Sequence, residues 1–204
     1  MKNVGDVGAN NRIALFGGSF DPIHCGHLEI AKCAIDQAKL NSVIFIPSAQ
    51  APLKNEHQSS ADLRSQMLRL ALEDFPNFLL DTHEVEQGGV SFTINTVEHF
   101  KRRYQDAELF WIIGGDQFVQ LDQWSRINEL AQMLTFLVYP RGGSFQANRN
   151  SIKGLHYQVL EARQLSESST EIRKRCKKGL PLSSLVPEKV EAFIYKNGLY
   201  DATS

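Results

Sequence analysis

Short apolar runs alternate with amphipathic segments along most of the chain. The runs lack polar alternation and are rich in β-branched and aromatic residues, which predicts strands buried on both faces, at 13–16, 42–47, 78–81, 109–113 and 134–139. Helical periodicity predicts helices at 28–39, 61–74, 92–103 and 127–132. The apolar stripe of the second helix is predicted to contain Leu63, Met67, Leu70 and Ala71. This order predicts an α/β fold, a doubly wound, Rossmann-like parallel sheet with ligands at the carboxyl ends of its strands.

The composition limits the class of protein. Of the 204 residues 42% are hydrophobic and the net charge is −1, which suits one domain and argues against a broad nucleic-acid face. We expect a flexible tail at 1–11 and a single domain over 12–204, with a helical C-terminal part at about 166–200. No secretory signal or apolar run of about 20 residues is evident, which argues against a membrane protein. The three cysteines form no Cys-x-x-Cys pair, so we expect a cytoplasmic protein.

The segment from Gly17 to His27 carries the clearest candidate chemistry. It reads Gly-Gly-Ser-Phe-Asp-Pro-Ile-His-Cys-Gly-His and joins the first strand to the first helix. Glycine backbone and helix N-terminal amides approach phosphate closely, so the segment suits a nucleoside triphosphate. His24 and His27 can each donate from a ring nitrogen, and a nearby phosphate favours the charged form. The segment matches neither the P-loop nor the dinucleotide fingerprint. The alternative is a tight turn with structural histidines.

Cys25 stands between the two histidines and raises the question of a metal. A structural zinc site needs four ligands, and no fourth is close in sequence, so we expect no metal held by protein side chains alone. The Cys25 thiol has two interpretations: flanking histidinium lowers its pKa, or the residue is simply small and buried.

A second candidate anion site lies near the C-terminus. Ser168 and Glu171 are spaced as a capping box, which predicts a helix start whatever the function. Hydroxyls at a helix N-terminus also favour an anion, and Arg173 in the second turn can reach back to clamp phosphate oxygens. Arg173 opens a basic run over 173–178, most of which we interpret as a solvated face.

Together these two motifs resemble the nucleotidylyltransferase superfamily, and most closely the bacterial nicotinate-nucleotide adenylyltransferases. Further matches are Ser-Phe-Thr-Ile-Asn-Thr at 91–96, Ile-Ile-Gly-Gly-Asp at 112–116, Trp124, and the segment 193–200, so the resemblance covers about residues 13–200. The chain departs from the family pattern at Glu167, where isoleucine is common, and at Phe92, where tyrosine is usual. It also has Leu53 in place of the histidine of Pro-Pro-His-Lys, which puts that histidine's role in doubt.

The resemblance implies a role for each matching residue. ATP would contact Gly17, Gly18, Ser19, Phe20, His24, Gly26, His27, Gly114, Asp116, Ser168, Ser169, Thr170 and Arg173. The catalytic residues would be His24, His27 and Arg173. The nicotinate nucleotide would contact Lys54, Phe92, Thr93 and Trp124.

Several of these residues have simpler interpretations. Trp124 stacks on a pyridine ring in the family, but it could instead fold back onto the core, where we place Trp111. Asp116 could accept from ribose hydroxyls or serve as a helix N-cap. Lys54 could pair with phosphate or be a solvated loop residue. The loops at 48–60 and 141–151 suit lids or specificity elements, and the second could equally be an irregular excursion.

The sequence therefore predicts an enzyme that joins ATP and nicotinate mononucleotide, with Mg²⁺ bound mainly through ATP phosphates. Sister enzymes of the superfamily, acting on nicotinamide mononucleotide, phosphopantetheine or a polyol phosphate, are alternatives; Trp124 and residues 91–96 argue against the last two. A class I aminoacyl-tRNA synthetase fragment shares the His-x-Gly-His pattern, but the chain is short for an anticodon domain. A catalytically silent nucleotide-binding module is the alternative from another class.

Overall fold

The computed structural model describes residues 11–50, 58–140, 152–161 and 167–201. Within these ranges the chain forms a six-stranded, wholly parallel sheet. Its strands are β1 Arg12–Gly18, β2 Ser42–Pro47, β3 Phe78–Leu80, β4 Glu108–Gly114, β5 Thr135–Tyr139 and β6 Tyr157–Val159. The spatial order is β3-β2-β1-β4-β5-β6. The direction of strand addition therefore reverses between β1 and β4, which is where ligands bind in open α/β sheets.

Helices cover both faces of this sheet. They are α1 Cys25–Ala38, α2 Ala61–Leu72, α3 His83–Gln87, α4 Thr93–Arg103, α5 Gly115–Phe118, α6 Ile127–Met133, α7 Ser169–Lys177 and α8 Glu188–Lys196. Alternate residues of β1 point to opposite faces: Ala14 and Phe16 pack with α1, α2, α7 and α8, whereas Ile13 and Leu15 pack with α4 and α6. The predicted fold class is confirmed. No helix within the described ranges is long and apolar enough to cross a membrane.

The predicted elements are present, with shifted ends. α1 begins at Cys25 instead of residue 28, and α4 begins at Thr93 because Phe92 is its N-cap. The buried residues of α2 are Arg64, Ser65, Met67, Leu68, Ala71 and Leu72, and Leu70 is half-buried against the same core. The predicted stripe is confirmed at Met67, Leu70 and Ala71, whereas Leu63 is only half-buried and Arg64 was wrongly left out. β6 and α3 were not predicted, because each is short and neither has an apolar run.

Candidate active site

A cleft of about 480 Å³ opens at the carboxyl ends of the central strands. Gly17 and Gly18 at the end of β1, Gly114 at the end of β4, Tyr139 at the end of β5 and Ser48 after β2 all line it. The cleft thus occupies the point where the strand order reverses, as predicted for this class of sheet.

Most of the predicted site residues meet in this cleft, although they come from five separate parts of the chain. The lining includes Gly17, Gly18, Ser19, Phe20, His24, His27, Phe92, Thr93, Gly114, Asp116, Trp124, Ser168, Ser169, Thr170 and Arg173. Gly26 is buried in the first turn of α1 and is not among the lining residues. Lys54, with Leu53, lies outside the described residues, as does the loop 141–151.

Both glycines of the loop are required by close contacts. A Cβ atom on Gly17 would lie 2.7 Å from the six-membered ring of Trp111, and one on Gly18 would lie 3.0 Å from the ring of Phe20. Neither position tolerates these distances without movement of a buried ring. The double glycine therefore lets two aromatic rings support the floor of the cleft directly.

Phe20 holds this loop in an uncommon backbone conformation. Its φ is 47°, in the left-handed region that costs about 1–3 kcal/mol for a residue of this kind. The ring is buried and packs against Phe16, Phe45 and His27, with centroid distances of 5.5, 5.7 and 5.0 Å. Packing of the Phe20 ring thus stabilises the strained loop and places it beside His27.

The two histidines are arranged differently from a simple pair on one helix face. His24 is the N-cap of α1, and its ring stacks on that of His27 with the centroids 3.6 Å apart. The backbone N–H of His24 donates to Nδ1 of His27 at 3.2 Å. Because that nitrogen accepts, we infer that the proton of a neutral His27 ring is on Nε2. A charged His27 ring would have to give up this hydrogen bond, since imidazolium has no acceptor nitrogen.

The second motif packs directly against the first. Ser168 caps α7 as predicted, its Oγ accepting from the backbone N–H of Glu171 at 3.2 Å. Ser169 Oγ donates to the carbonyl oxygen of Pro22 at 2.9 Å. Arg173 donates to the carbonyl oxygen of Asp21 at 2.7 Å and reaches back to Thr170 Oγ1 at 3.3 Å. The hydroxyls, the helix N-terminus and the guanidinium therefore lie at one end of the cleft, beside the histidine loop.

Asp21 links the loop to two further parts of the chain. One carboxylate oxygen accepts from Tyr200 Oη at 2.6 Å, and the other accepts from the backbone N–H of Gln58 at 2.7 Å. Burial, followed by the charge of Asp21, raises the pKa of Tyr200, so this phenol stays a donor. The contact between Asp21 and Tyr200 was not predicted, because nothing in the local sequence indicates that residues 21 and 200 meet.

Aromatic side chains also line the cleft. Trp124 is half-buried, and its ring meets those of Trp111 and Phe136 edge-on, both at 6.4 Å between centroids. The indole thus packs partly on the core and still lines the cleft. Trp111 is core, as predicted, and Phe92 is 41% exposed.

Asp116 lies in the first turn of α5 and lines the cleft. The N-cap of that helix is Gly114, so the interpretation of Asp116 as a cap was wrong. Its carboxylate is exposed and lines the cleft, where it can accept hydrogen bonds from a ligand.

Glu84 is a buried carboxyl group on the same wall as Phe92 and Thr93. It accepts from Thr96 Oγ1 at 2.5 Å. Burial raises the pKa of Glu84, and hydrogen bonds from Thr96 and Ser91 oppose that rise in part. Burial of Glu84 was not predicted, since a glutamate in a polar stretch is ordinarily exposed.

The sequence left two questions about Cys25: whether it belongs to a metal site and whether its thiol is reactive. In the parts of the chain that the structure describes, no group of three or more His, Cys, Asp or Glu side chains is placed to hold a metal ion. Burial, followed by the charge of Glu167, raises the pKa of Cys25. The interpretation in which flanking histidinium lowers that pKa was therefore wrong.

Proteins of a known family resemble this chain in both sequence and fold. Residues 15–175 match the model of the cytidylyltransferase-like family. A protein of Opitutus terrae named "Probable nicotinate-nucleotide adenylyltransferase" is 42% identical over 190 residues, covering 93% of this chain and 97% of that one. One of the same name from Gemmatimonas aurantiaca is 39% identical over 194 residues, covering 93% and 92%. The structure of Plasmodium falciparum nicotinic acid mononucleotide adenylyltransferase complexed with NaAD matches with a TM-score of 0.79 at 19% identity, covering 95% and 99%, which supports the fold.

The contact between Gly17 and Trp111 predicts a specific destabilisation. Gly17→Ala should lower the free energy of unfolding by about 1–3 kcal/mol, because the new methyl overlaps the indole ring. Urea denaturation measures this change. Combining it with Trp111→Phe, which removes the contacted atoms, should give less destabilisation than the sum of the two single changes. Additive effects would show that the ring does not require glycine at position 17.

The burial of Glu84 predicts a pH-dependent gain on substitution. A carboxyl group whose pKa is raised by folding favours the folded state below its unfolded pKa, and that contribution is lost as pH rises through the folded pKa. Glu84→Gln should therefore become more stable than wild type as pH rises through this range, measured by urea denaturation from acid to neutral pH. Glu86→Gln, on the exposed side of α3, is the control. A difference independent of pH would contradict the prediction.

Proposed function

This chain belongs to the nicotinate-nucleotide adenylyltransferase family, and on that premise we propose that it transfers AMP from ATP to nicotinate mononucleotide. The products would be nicotinate adenine dinucleotide and pyrophosphate, in NAD biosynthesis. The observation that carries the proposal is the contact of Ser169 and Arg173 with the loop that precedes α1. It brings the two candidate anion-binding motifs together in a cleft that aromatic side chains also line, which suits a nucleoside triphosphate and a pyridine nucleotide.

The reaction needs positioning more than acid–base chemistry. The phosphate of the mononucleotide is already an anion near neutral pH and would attack the α-phosphorus of ATP in line, with pyrophosphate leaving. The P–O bond to the β-phosphate breaks as the new one forms. No strong general base is required, so the protein's contribution is to align the two phosphates and to stabilise the developing charge.

His24 and His27 would supply that stabilisation at the α- and β-phosphate oxygens. With Nδ1 of His27 accepting from the backbone, Nε2 is the ring nitrogen that would donate to a phosphate oxygen. The stacked rings, 3.6 Å apart, would repel strongly if both carried charge without a phosphate between or beside them. We therefore assign both as hydrogen-bond donors to the transition state instead of bases.

Arg173 and the hydroxyls of Ser168, Ser169 and Thr170 would hold the β- and γ-phosphates. A guanidinium has five N–H donors, so contacts with Asp21 and Thr170 leave capacity for phosphate oxygens. Gly17 to Phe20 would lie against the nucleotide, with Gly114 and Asp116 at the ribose. Gly26 would contribute through the first turn of α1.

Trp124 and the N-terminus of α4 would bind the pyridine end. The indole would stack on the pyridine ring, with Phe92 beside it, and backbone amides near Thr93 would bind the nicotinate carboxylate. Lys54 would pair with a phosphate as a point charge. One observation favours nicotinamide mononucleotide as the second candidate: Glu84 lines the same wall and could accept from a carboxamide N–H.

Magnesium fits this site as an ion brought by ATP. The carboxylates lining the cleft are dispersed, and Asp21 is occupied by Tyr200 and Gln58, so Asp116 is the exposed carboxylate available nearby. Mg²⁺ usually binds through substrate phosphates and water with one or two carboxylates, and it would supply charge neutralisation there. We place the reaction in the cytoplasm, consistent with sparse, unpaired cysteines.

Pyrophosphate release tests the proposal directly. Purified protein with ATP and Mg²⁺ should release pyrophosphate when nicotinate mononucleotide is added, and more slowly with nicotinamide mononucleotide at equal concentration. Faster turnover of the amide would move the assignment to the sister enzyme. No release with either substrate would favour the catalytically silent module.

Removal of His27 tests the catalytic assignment. His27→Ala should reduce kcat by about 10²–10⁴-fold, because a donor to the transition state is lost while the fold remains. Steady-state kinetics measure the effect, and circular dichroism confirms folding. His156→Ala is the matched control, since that histidine is exposed and away from the cleft. Near-normal turnover of His27→Ala would overturn the assignment.

A further inference from the structure

Arg64 is a charged side chain enclosed behind the cleft. It projects from the inner face of α2 and is 1% exposed. One terminal nitrogen of its guanidinium donates to the carbonyl oxygen of Ser19 at 2.7 Å, and the other donates to that of Ser48 at 2.8 Å. Ser19 and Ser48 follow β1 and β2 and line the cleft, whereas Arg64 is not among the lining residues. A buried cation contributes less to stability than an apolar residue of similar volume often would, which points to another role.

The first hydrogen bond orients the loop between β1 and α1. In a trans peptide the carbonyl and the following N–H point in opposite directions. Because the Ser19 carbonyl points to Arg64, the N–H of Phe20 is directed away from Arg64. Phe20 has a φ of 47°, so the hydrogen bond holds a backbone conformation that would otherwise relax.

The second hydrogen bond orients the segment after β2. The N–H of Ser48 donates to Gly18 at 2.9 Å, its carbonyl accepts from Arg64, and the next N–H, of Ala49, donates to Ser91 Oγ at 3.0 Å. Ser91 returns a backbone hydrogen bond to Gln50 at 2.9 Å. The Ser48–Ala49 peptide therefore lies between Arg64 on one side and Ser91, which precedes α4, on the other.

We infer that Arg64 is a positioning residue that links the two substrate-binding parts of the cleft. One terminal nitrogen holds the loop assigned to the ATP phosphates through Ser19. The other holds the segment after β2 through Ser48, and that segment contacts Ser91, next to the residues assigned to the pyridine ring. The inference rests on the proposed function for what the two parts bind. The two carbonyls themselves, and the fork that joins them, are features of the fold alone.

Variants of Arg64 separate positioning from folding. Arg64→Met keeps the volume but removes both donors, and Arg64→Lys keeps the charge without the planar fork. We expect kcat per folded molecule to fall about 100-fold in Arg64→Met, since a displacement of about 1 Å has that effect, with Arg64→Lys between it and wild type. Arg69→Met, on the exposed side of the same helix, should stay within about 2-fold of wild type, as expected for a surface change.

A purely structural role gives a different result. The folded fraction of each variant is measured by denaturation at the assay temperature, and kcat is divided by it. If the corrected kcat of Arg64→Met equals that of wild type, the inference is overturned. If Arg64→Met does not fold, Arg64→Lys takes its place, and a corrected kcat equal to wild type overturns the inference in the same way.

A double-mutant cycle gives a second test that does not depend on losing Arg64 entirely. Ser91→Ala removes the acceptor of the Ala49 N–H on the far side of the shared peptide. If Arg64 acts through that peptide, the effects of Arg64→Lys and Ser91→Ala on kcat should not be independent. The change in kcat of the double variant should differ by at least about 2-fold from the product of the two single changes. Multiplicative effects would contradict the link.

The controls distinguish failure of the inference from failure of the proposed function. Wild-type turnover with nicotinate mononucleotide tests the function. Should the wild type release no pyrophosphate, calorimetric titration with α,β-methylene-ATP still tests the Arg64 fork. Arg64→Met should then bind the analogue at least about 10-fold more weakly, and equal affinity would overturn the inference.

Discussion

The site depends on contacts between the N-terminal region of α7 and the loop between β1 and α1. Ser169 and Arg173 donate to the carbonyl oxygens of Pro22 and Asp21, 147 and 152 residues away in the chain. Each of the two parts alone is a helix start with an ordinary capping explanation. Once joined, they place two positive helix ends and a guanidinium at one end of a cleft. The C-terminal region thus lines the candidate site and also packs in the core.

Buried polar groups keep this junction in one arrangement. Asp21 receives Tyr200 Oη and the N–H of Gln58, and Arg64 holds the carbonyls of Ser19 and Ser48. Each hydrogen bond is favourable only while its partner stays in place, because a buried group without a partner is destabilising. These groups therefore discriminate against alternative loop conformations more than they add to stability. That restriction suits a loop whose amides must face phosphate before the ligand arrives.

Most strands and helices could be predicted from the sequence because they depend on local patterns of apolar and polar residues. Apolar runs predicted five strands, and their order led to the sheet and its ligand-binding edge. β6 was missed because it is a three-residue strand at the sheet edge without an apolar run. Arg64 was missed for a different reason: the predicted apolar stripe of α2 excluded a charged residue from the buried face. Its partners, 45 and 16 residues away, leave no local trace in the sequence.

The candidate site residues were predicted from motifs, and the geometry changes how two of those motifs are interpreted. Two histidines three residues apart suggested a pair of cations on a helix face. In the structure one is the N-cap and the other uses Nδ1 as an acceptor for that cap's backbone N–H. With Nδ1 engaged in this way, a hydrogen bond from Nε2 in the proposed reaction would strengthen as charge develops on the leaving pyrophosphate. The helix N-terminus that His24 caps adds a fixed positive field to the same position. The cap that fixes the histidine rings and the field that favours phosphate are therefore consequences of one helix start.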